Sequence, residues 1–241
     1  MELPYVTYKK SDFIETDTGN KISRQSLISG SQNIVLGGKT IVHPHCTIRG
    51  DLRRSGPTHQ ASVLIGRFCS LGSYSVLRPP YKTYKGVFSY YPLKVGDFVD
   101  IGEGSIVEAA SVGSWVKIGR GCVVGRFAFI KEGCVLEDGA VVPSGMVVPP
   151  FSVVTKHGVM AMPESVQDVL ELAAKDRYAN SNYGRPEFTS DSGMSIHDVA
   201  VSNNAKYTKR VYLDVSYEYI LNGAATDILS SIPYKGSRFT N

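Results

Sequence analysis

Ile118, Val124, Ile130, Leu136 and Val142 recur at intervals of six, and the series runs on to Val112 upstream and to Val148 and Val154 downstream. Neither an α-helix nor an ordinary strand repeats at six. With Ile, Leu and Val making up about a fifth to a quarter of average sequence, eight such hits in a row have a chance probability on the order of 10⁻⁵ per start. Shorter runs repeat the pattern at Leu36, Val42 and Ile48, at Ile65, Leu71 and Leu77, and at Val95, Ile101 and Val107, from which a five-residue step leads to Val112. Hexapeptide periodicity marks a parallel β-helix, in which three hexads make one triangular coil. The aliphatic side chain points into the prism and stacks on its equivalents in the coils above and below, at about 4.8 Å per coil.

The residue two before the aliphatic one is usually small or β-branched. The series is Thr40, Cys46, Val63, Cys69, Ser75, Val99, Ser105, Ala110, Val116, Cys122, Ala128, Cys134, Ala140 and Ser152. All four cysteines occupy this slot and none forms a C-x-x-C pair. They are expected to be small buried apolar groups rather than redox or metal centres. Gly follows the aliphatic residue at Gly37, Gly66, Gly72, Gly96, Gly102, Gly113, Gly119 and Gly125, where the corner needs either φ > 0 or close approach of backbones.

Two segments interrupt the repeat. Arg53–Ala61 is polar and carries Gly and Pro, so it reads as a surface loop. Arg78–Leu93, "RPPYKTYKGVFSYYPL", holds four tyrosines and Phe88. Such a loop either folds back over the prism or forms a partner-binding surface, since Tyr and Arg are enriched at interface hot spots. The repeat ends near Val154, which sets a first domain at 1–154. An amphipathic helix follows in 155–178, with Pro163 near its first turn and Val166, Val169, Leu170 and Ala173 at helical spacing. Residues 179–241 read as a tail or insertion: a polar stretch, then alternating Val211, Leu213, Val215, Tyr217 and Tyr219, which suits a strand or a short helix.

Composition narrows the functional classes. Net charge is +4 without a block of like charges, which does not argue for nucleic acid. No stretch approaches 18 apolar residues and the N-terminus lacks an apolar signal region, so neither membrane insertion nor secretion is expected. With unpaired cysteines, a soluble protein of a reducing, intracellular compartment is expected.

Hexapeptide β-helices are most often acyltransferases, carbonic anhydrases or assembly proteins, so fold alone does not choose. An anhydrase site needs three imidazoles around a metal. This chain has five histidines (His43, His45, His59, His157 and His197), and none lies in the coils from Val95 to Val154. His43 and His45, around Pro44, are expected to be solvent-facing turn residues. An acyltransferase needs a general base; His157 or His59 would have to supply it, in a homotrimer with sites between subunits. No catalytic residue, metal ligand or cofactor site is otherwise assigned.

Individual stretches are more specific than the repeat. "SRQS", "GSQNIVL", "GKTIV", "TIRGDL" and "RPP", in their order along roughly Tyr8 to Tyr178 with the trailing helix, resemble the dynactin subunit 5 family, a small pointed-end subunit of the dynein activator complex. The loop after Arg53 is longer than in that family, and the region after about Tyr178 is an addition or an insertion splitting the family's C-terminal helix. The resemblance implies a left-handed parallel β-helix and a non-catalytic role in the cytoplasm, on the cytoskeletal transport machinery. Its implied partners are dynactin subunit 6 (itself a β-helix, paired side by side), the pointed-end actin-related protein, a large zinc-containing subunit and dynein cargo adaptors. The residues expected to meet partners are Arg49, Asp51 and Arg53, together with Arg78, Tyr81, Lys82, Tyr84, Phe88, Tyr90 and Tyr91 of the aromatic segment.

Overall fold

The computed structural model describes residues 9–53 and 61–181. The chain winds through three flat sheets in rotation. The first face stacks Lys21–Ser23, Ile41–Val42, Ser70–Leu71, Asp100–Ile101, Lys117–Ile118, Val135–Leu136 and Ser152–Thr155. The second stacks Leu27–Ser29, Thr47–Arg49, Val76–Leu77, Ile106–Val107, Val123–Val124 and Val141–Val142. The third stacks Ile34–Gly38, Val63–Arg67, Leu93–Val95, Ser111–Val112, Phe129–Ile130 and Val147–Val148. Neighbours within each of these stacks are parallel, whereas Phe13–Glu15 and Gly158–Ala161 add antiparallel to the two ends of the first face. This is the expected parallel β-helix.

Register explains why the hexad dominates the sequence. Lys117 pairs with Val135, so one coil spans eighteen residues. Asp100 pairs with Lys117 across a coil of seventeen, because of the five-residue step before Val112. That step moves the small-residue slot: Ala109 is fully buried there and Ala110 is not. The other predicted slot residues are buried, and the inward aliphatics from Val42 to Val154 form one continuous core.

The glycines after the aliphatic residues serve close approach. A Cβ on Gly113 would sit 2.8 Å from the backbone nitrogen of Glu132 in the next coil. Positive φ falls two residues later, three after most of the inward aliphatics. Gly104, Gly121, Gly133, Gly139 and Gly145 take that place at some corners; Phe68, Phe98, Trp115, Phe127 and Phe151 take it at others, with φ between 50° and 58°. A side chain in the left-handed region costs about 1–2 kcal/mol. Ring stacking returns about 0.5–1.5 kcal/mol per pair. Phe68, Phe98, Trp115 and Phe127 accept that cost where their rings attach other parts of the chain.

The C-terminal helix α1 (Val166–Asn180) uses them. Phe68, Phe98 and Trp115 stack in a ladder, with centroids 5.3 and 6.2 Å apart. Tyr178 meets Phe68 edge-on and its hydroxyl donates to the Gly19 carbonyl at 2.7 Å. Trp115 Nε1 donates to Glu171 at 3.1 Å, and Arg177 bridges Asp100 at 2.9 Å. Buried Lys21 donates to Ser181 Oγ at 2.8 Å and lies under the Tyr178 ring. The inward side of α1 therefore runs through Val166, Leu170, Ala174 and Tyr178, while Val169, expected inside, is exposed. Apolar spacing alone mislocated that side, because polar and ring contacts orient the helix.

Burial pushes the cysteine thiols up, to about 11 at Cys46 and about 12 at Cys69, from an ordinary 9.0. The Sγ atoms of Cys69, Cys122 and Cys134 donate to carbonyls of the next coil at 3.1, 2.9 and 3.0 Å. An acid whose pKa is raised on folding holds its proton more tightly in the native state. Its stabilisation is complete below the unfolded value and is lost as pH rises toward the folded one. The unfolding midpoint in urea is expected to fall between about pH 9 and pH 11, and less so in alanine variants at Cys46 and Cys69. Leu136→Ala, in the middle of the core, is expected to lose about 2–5 kcal/mol in the same measurement.

Candidate functional site

Both interruptions leave the second face and return on the third, so they emerge at the same corner of the prism. Of the first, residues 54–60 lie outside the described residues. The second is an ordered β-hairpin, Tyr81–Tyr84 against Val87–Tyr90. Its two-residue turn, Lys85-Gly86, has φ of 49° and 78°, as a type I′ turn requires. That turn was legible as a residue-Gly pair between β-formers, a signal the sequence reading passed over.

The hairpin is tied to the corner at its base. Tyr81, Phe88 and Tyr90 pack on one side with ring centroids 5.0–6.0 Å apart. The Arg126 guanidinium stands 4.5 Å over the Tyr81 ring, and Tyr91 meets Phe127 edge-on at 5.3 Å. Pro79 and Pro80 are buried beneath, and the Pro80 carbonyl accepts from the Tyr91 backbone N–H at 2.8 Å. The far end is open: Tyr84, Val87 and Phe88 are 59%, 68% and 51% exposed, Lys82 is exposed, and Lys85 lies over the Tyr84 ring.

A charged row runs along this corner. The strand register places Arg49, Arg78 and Glu108 one after another, each following an inward Ile, Leu or Val. Glu108 accepts from Arg78, and Arg126 approaches its other oxygen at 3.9 Å. Arg49 is held bidentate by Asp51 at 2.8 and 2.7 Å. That pairing holds the Asp51 carboxyl below its ordinary range and raises Arg49; Tyr90 lies near enough to add to the latter. Arg53 is exposed. The corner thus joins the charged residues to the aromatic segment, two groups that the sequence reading kept apart. Glu108, Arg126 and Phe127 were missed. The tripeptide "GRF" after Val124 also follows Ile65, so it does not single this corner out in the sequence.

The histidines are dispersed. His45 is exposed and stacked on Tyr74 at 4.8 Å. His43, expected to face solvent, is half-buried near Asp100 and Arg177; burial lowers its pKa more than Asp100 restores it. His157 is exposed in the turn between the last two strands of the first face. His59, His197 and the alternating segment 211–219 lie outside the described residues. Among the described residues, no group of three or more His, Cys, Asp or Glu could hold a metal ion, and no helix is long and apolar enough to cross a membrane.

The sequence pattern of the family described as Dynactin subunit 5 matches residues 1–182. The chain belongs to the dynactin subunit 5 family. Its match to Dynactin subunit 5 of Dictyostelium discoideum is 45% identical over 107 residues, which is 44% of this chain and 50% of that protein, so it spans about half the length of that curated relative. Solved structures to which the chain is similar include AntD, an N-acyltransferase from Bacillus cereus bound to dTDP and coenzyme A. It is 14% identical, over 66% of this chain and 89% of that one, with a TM-score of 0.48. Another is a hexapeptide transferase family protein from Anaplasma phagocytophilum, 17% identical over 68% and 91%, with a TM-score of 0.34. Likenesses this distant carry no argument about chemistry.

Cutting the Arg126 tie is expected to loosen the hairpin without melting the prism. Arg126→Ala should speed tryptic cleavage after Lys82 and Lys85 several-fold, while the thermal midpoint stays within the small range of surface substitutions, about 0.5 kcal/mol in stability.

Proposed function

We propose that this chain is a non-catalytic structural subunit of the dynactin pointed-end complex. In this reading it pairs with dynactin subunit 6 and helps dynein–dynactin engage cargo adaptors, such as those on endosomes. Its other neighbours are the pointed-end actin-related protein and the large zinc-containing subunit. It works in the cytoplasm on the microtubule transport machinery. The observation that carries this reading is membership of the family across residues 1–182, the prism and the helix together.

The corner supports the docking part of the proposal. Rings and guanidinium groups on a rigid prism lose little conformational freedom when a partner arrives, so less of the contact energy is spent on ordering. Arg49, Asp51, Arg53 and Arg78 with the hairpin residues Tyr81, Lys82, Tyr84, Phe88, Tyr90 and Tyr91 are proposed to form that docking surface.

Gentle native purification of the tagged chain from its own cells, with sizing and mass spectrometry, tests the role. Co-elution with an actin-related filament, subunit 6 and the large zinc-containing subunit is expected. A small homotrimer free of these partners would overturn the proposal and direct attention to acyl transfer, beginning with His157 and His59.

A further inference from the structure

Along the central coils the residue after an inward aliphatic donates its backbone N–H to the next coil. Gly119 donates to Leu136, Gly125 to Val142, Lys131 to Val148 and Glu137 to Val154, at 2.8–3.2 Å. In the last coil the second and third faces place Pro143 and Pro149 at this position, and proline has no N–H to give. Proline at an edge is one of the devices that stop a sheet from taking up another strand. The first face ends differently. After Val154 the chain turns through Lys156 and His157, and Gly158–Ala161 adds antiparallel to Ser152–Thr155.

This added strand carries neither proline nor charge. It is the last of its sheet, and all four of its residues are exposed. Met162 donates to the Phe151 carbonyl, which fixes the alternation that follows. Met160 and Gly158 turn their backbone groups toward Val153 and Thr155, while Val159 and Ala161 turn theirs outward. Among the described residues no further strand pairs with that outer edge.

A row of outward N–H and C=O groups is complementary to an extended chain. The side chains beside the row narrow its composition. Val159 stands next to inward Val154, and Met160 next to buried Val153, so an added strand meets apolar neighbours at alternate positions. Antiparallel pairing is slightly the more stable per residue, and it brings the end of the added strand to the turn at Lys156. Lys156 is exposed and belongs to none of the ion pairs among the described residues. An acidic group there meets an opposite charge. Area separates the possible sources. A four-residue strand buries far less than the about 800 Å² that each member of a stable pair contributes, so a second copy meeting it edge to edge would not hold. A segment of a protein already held elsewhere on the prism reaches the edge at high effective concentration and needs only the strand.

We infer that the outer edge of Gly158–Ala161 takes up an extended segment of a partner protein as a further antiparallel strand, apolar at alternate positions and acidic at its C-terminal end. The inference rests on the docking proposed above, which supplies the tether.

Hydrogen exchange resolved amide by amide, on the full chain alone and in its natively purified complex, tests this. The Val159 and Ala161 amides are expected to exchange freely in the isolated chain and at least about tenfold more slowly in the complex, with Met160, bonded to Val153, slow in both. Ala161→Pro removes only an outward donor. It is expected to keep the wild-type melting point and to lose to wild type about fivefold in competition for the same partners. Ala161→Val keeps the N–H and is expected to compete as wild type does, whereas Lys156→Glu is expected to compete several-fold less well. Unchanged exchange at both amides in a complex that does form, or equal competition by Ala161→Pro, would overturn the inference and leave the docking standing. Failure of the chain to co-purify with any partner would overturn the docking, and the inference with it. Protection in the isolated chain that rises with its concentration would overturn the partner segment in favour of a second copy. Protection there at every concentration would overturn it in favour of a segment of the chain itself.

Discussion

Successive coils must approach to the spacing of hydrogen-bonded strands along the whole length of the prism. Everything inside follows from that. An inward Leu, Ile or Val has its counterpart directly above and below, so a residue of the wrong size is wrong against two neighbours at once. The slot two residues earlier is mostly small, and it also carries donors: Cys69, Cys122 and Cys134 reach carbonyls of the adjoining coil, as Ser105 Oγ does to Gly119 at 2.7 Å. Free thiols here have a local structural use, with Sγ filling the space of a methyl group and satisfying an oxygen a coil away.

The same constraint leaves the corners free to differ. Most corners use a left-handed residue, and Gly meets that need without strain. Where the chain places Phe68, Phe98 and Trp115 instead, the rings stack along the axis and hold α1. Where it places Phe127, the ring carries the base of the hairpin through Tyr91. Corners that keep Gly121, Gly139 and Gly145 project no side chain. The prism is thus a repeating interior with a non-repeating exterior.

The three faces have different exteriors. The first mixes Lys21, Asp100 and Lys117 with buried Ile41, Val135 and Val153 and carries its own helix, the third is also mixed, and the second is apolar and exposed. The aromatic hairpin belongs to the border of the second and third. Its Arg78–Glu108–Arg126 row stands on three successive coils, so the hairpin is positioned by the rigid part of the molecule rather than by its own two strands. An isolated two-stranded hairpin is marginal in water.

By itself the sequence determined the coil, because a period of six is local and each inward residue reports its own position. It also determined where the coil is interrupted and that the cysteines are buried. Tertiary structure alone decided what stands beside what. Residues 30 apart, such as Arg78 and Glu108, or 77 apart, such as Asp100 and Arg177, meet only because whole coils or the returning helix bring them together. The side of α1 that faces the prism was set by Trp115 and Asp100 rather than by helical apolar spacing, so Val169 was misplaced from sequence. The outward row of the second face, Leu27, Thr47, Val76, Ile106, Val123 and Val141, was spelled out in every third hexad, yet its residues become neighbours only once three faces are closed. Stacking converts a one-dimensional repeat into columns, and columns belong to the folded molecule.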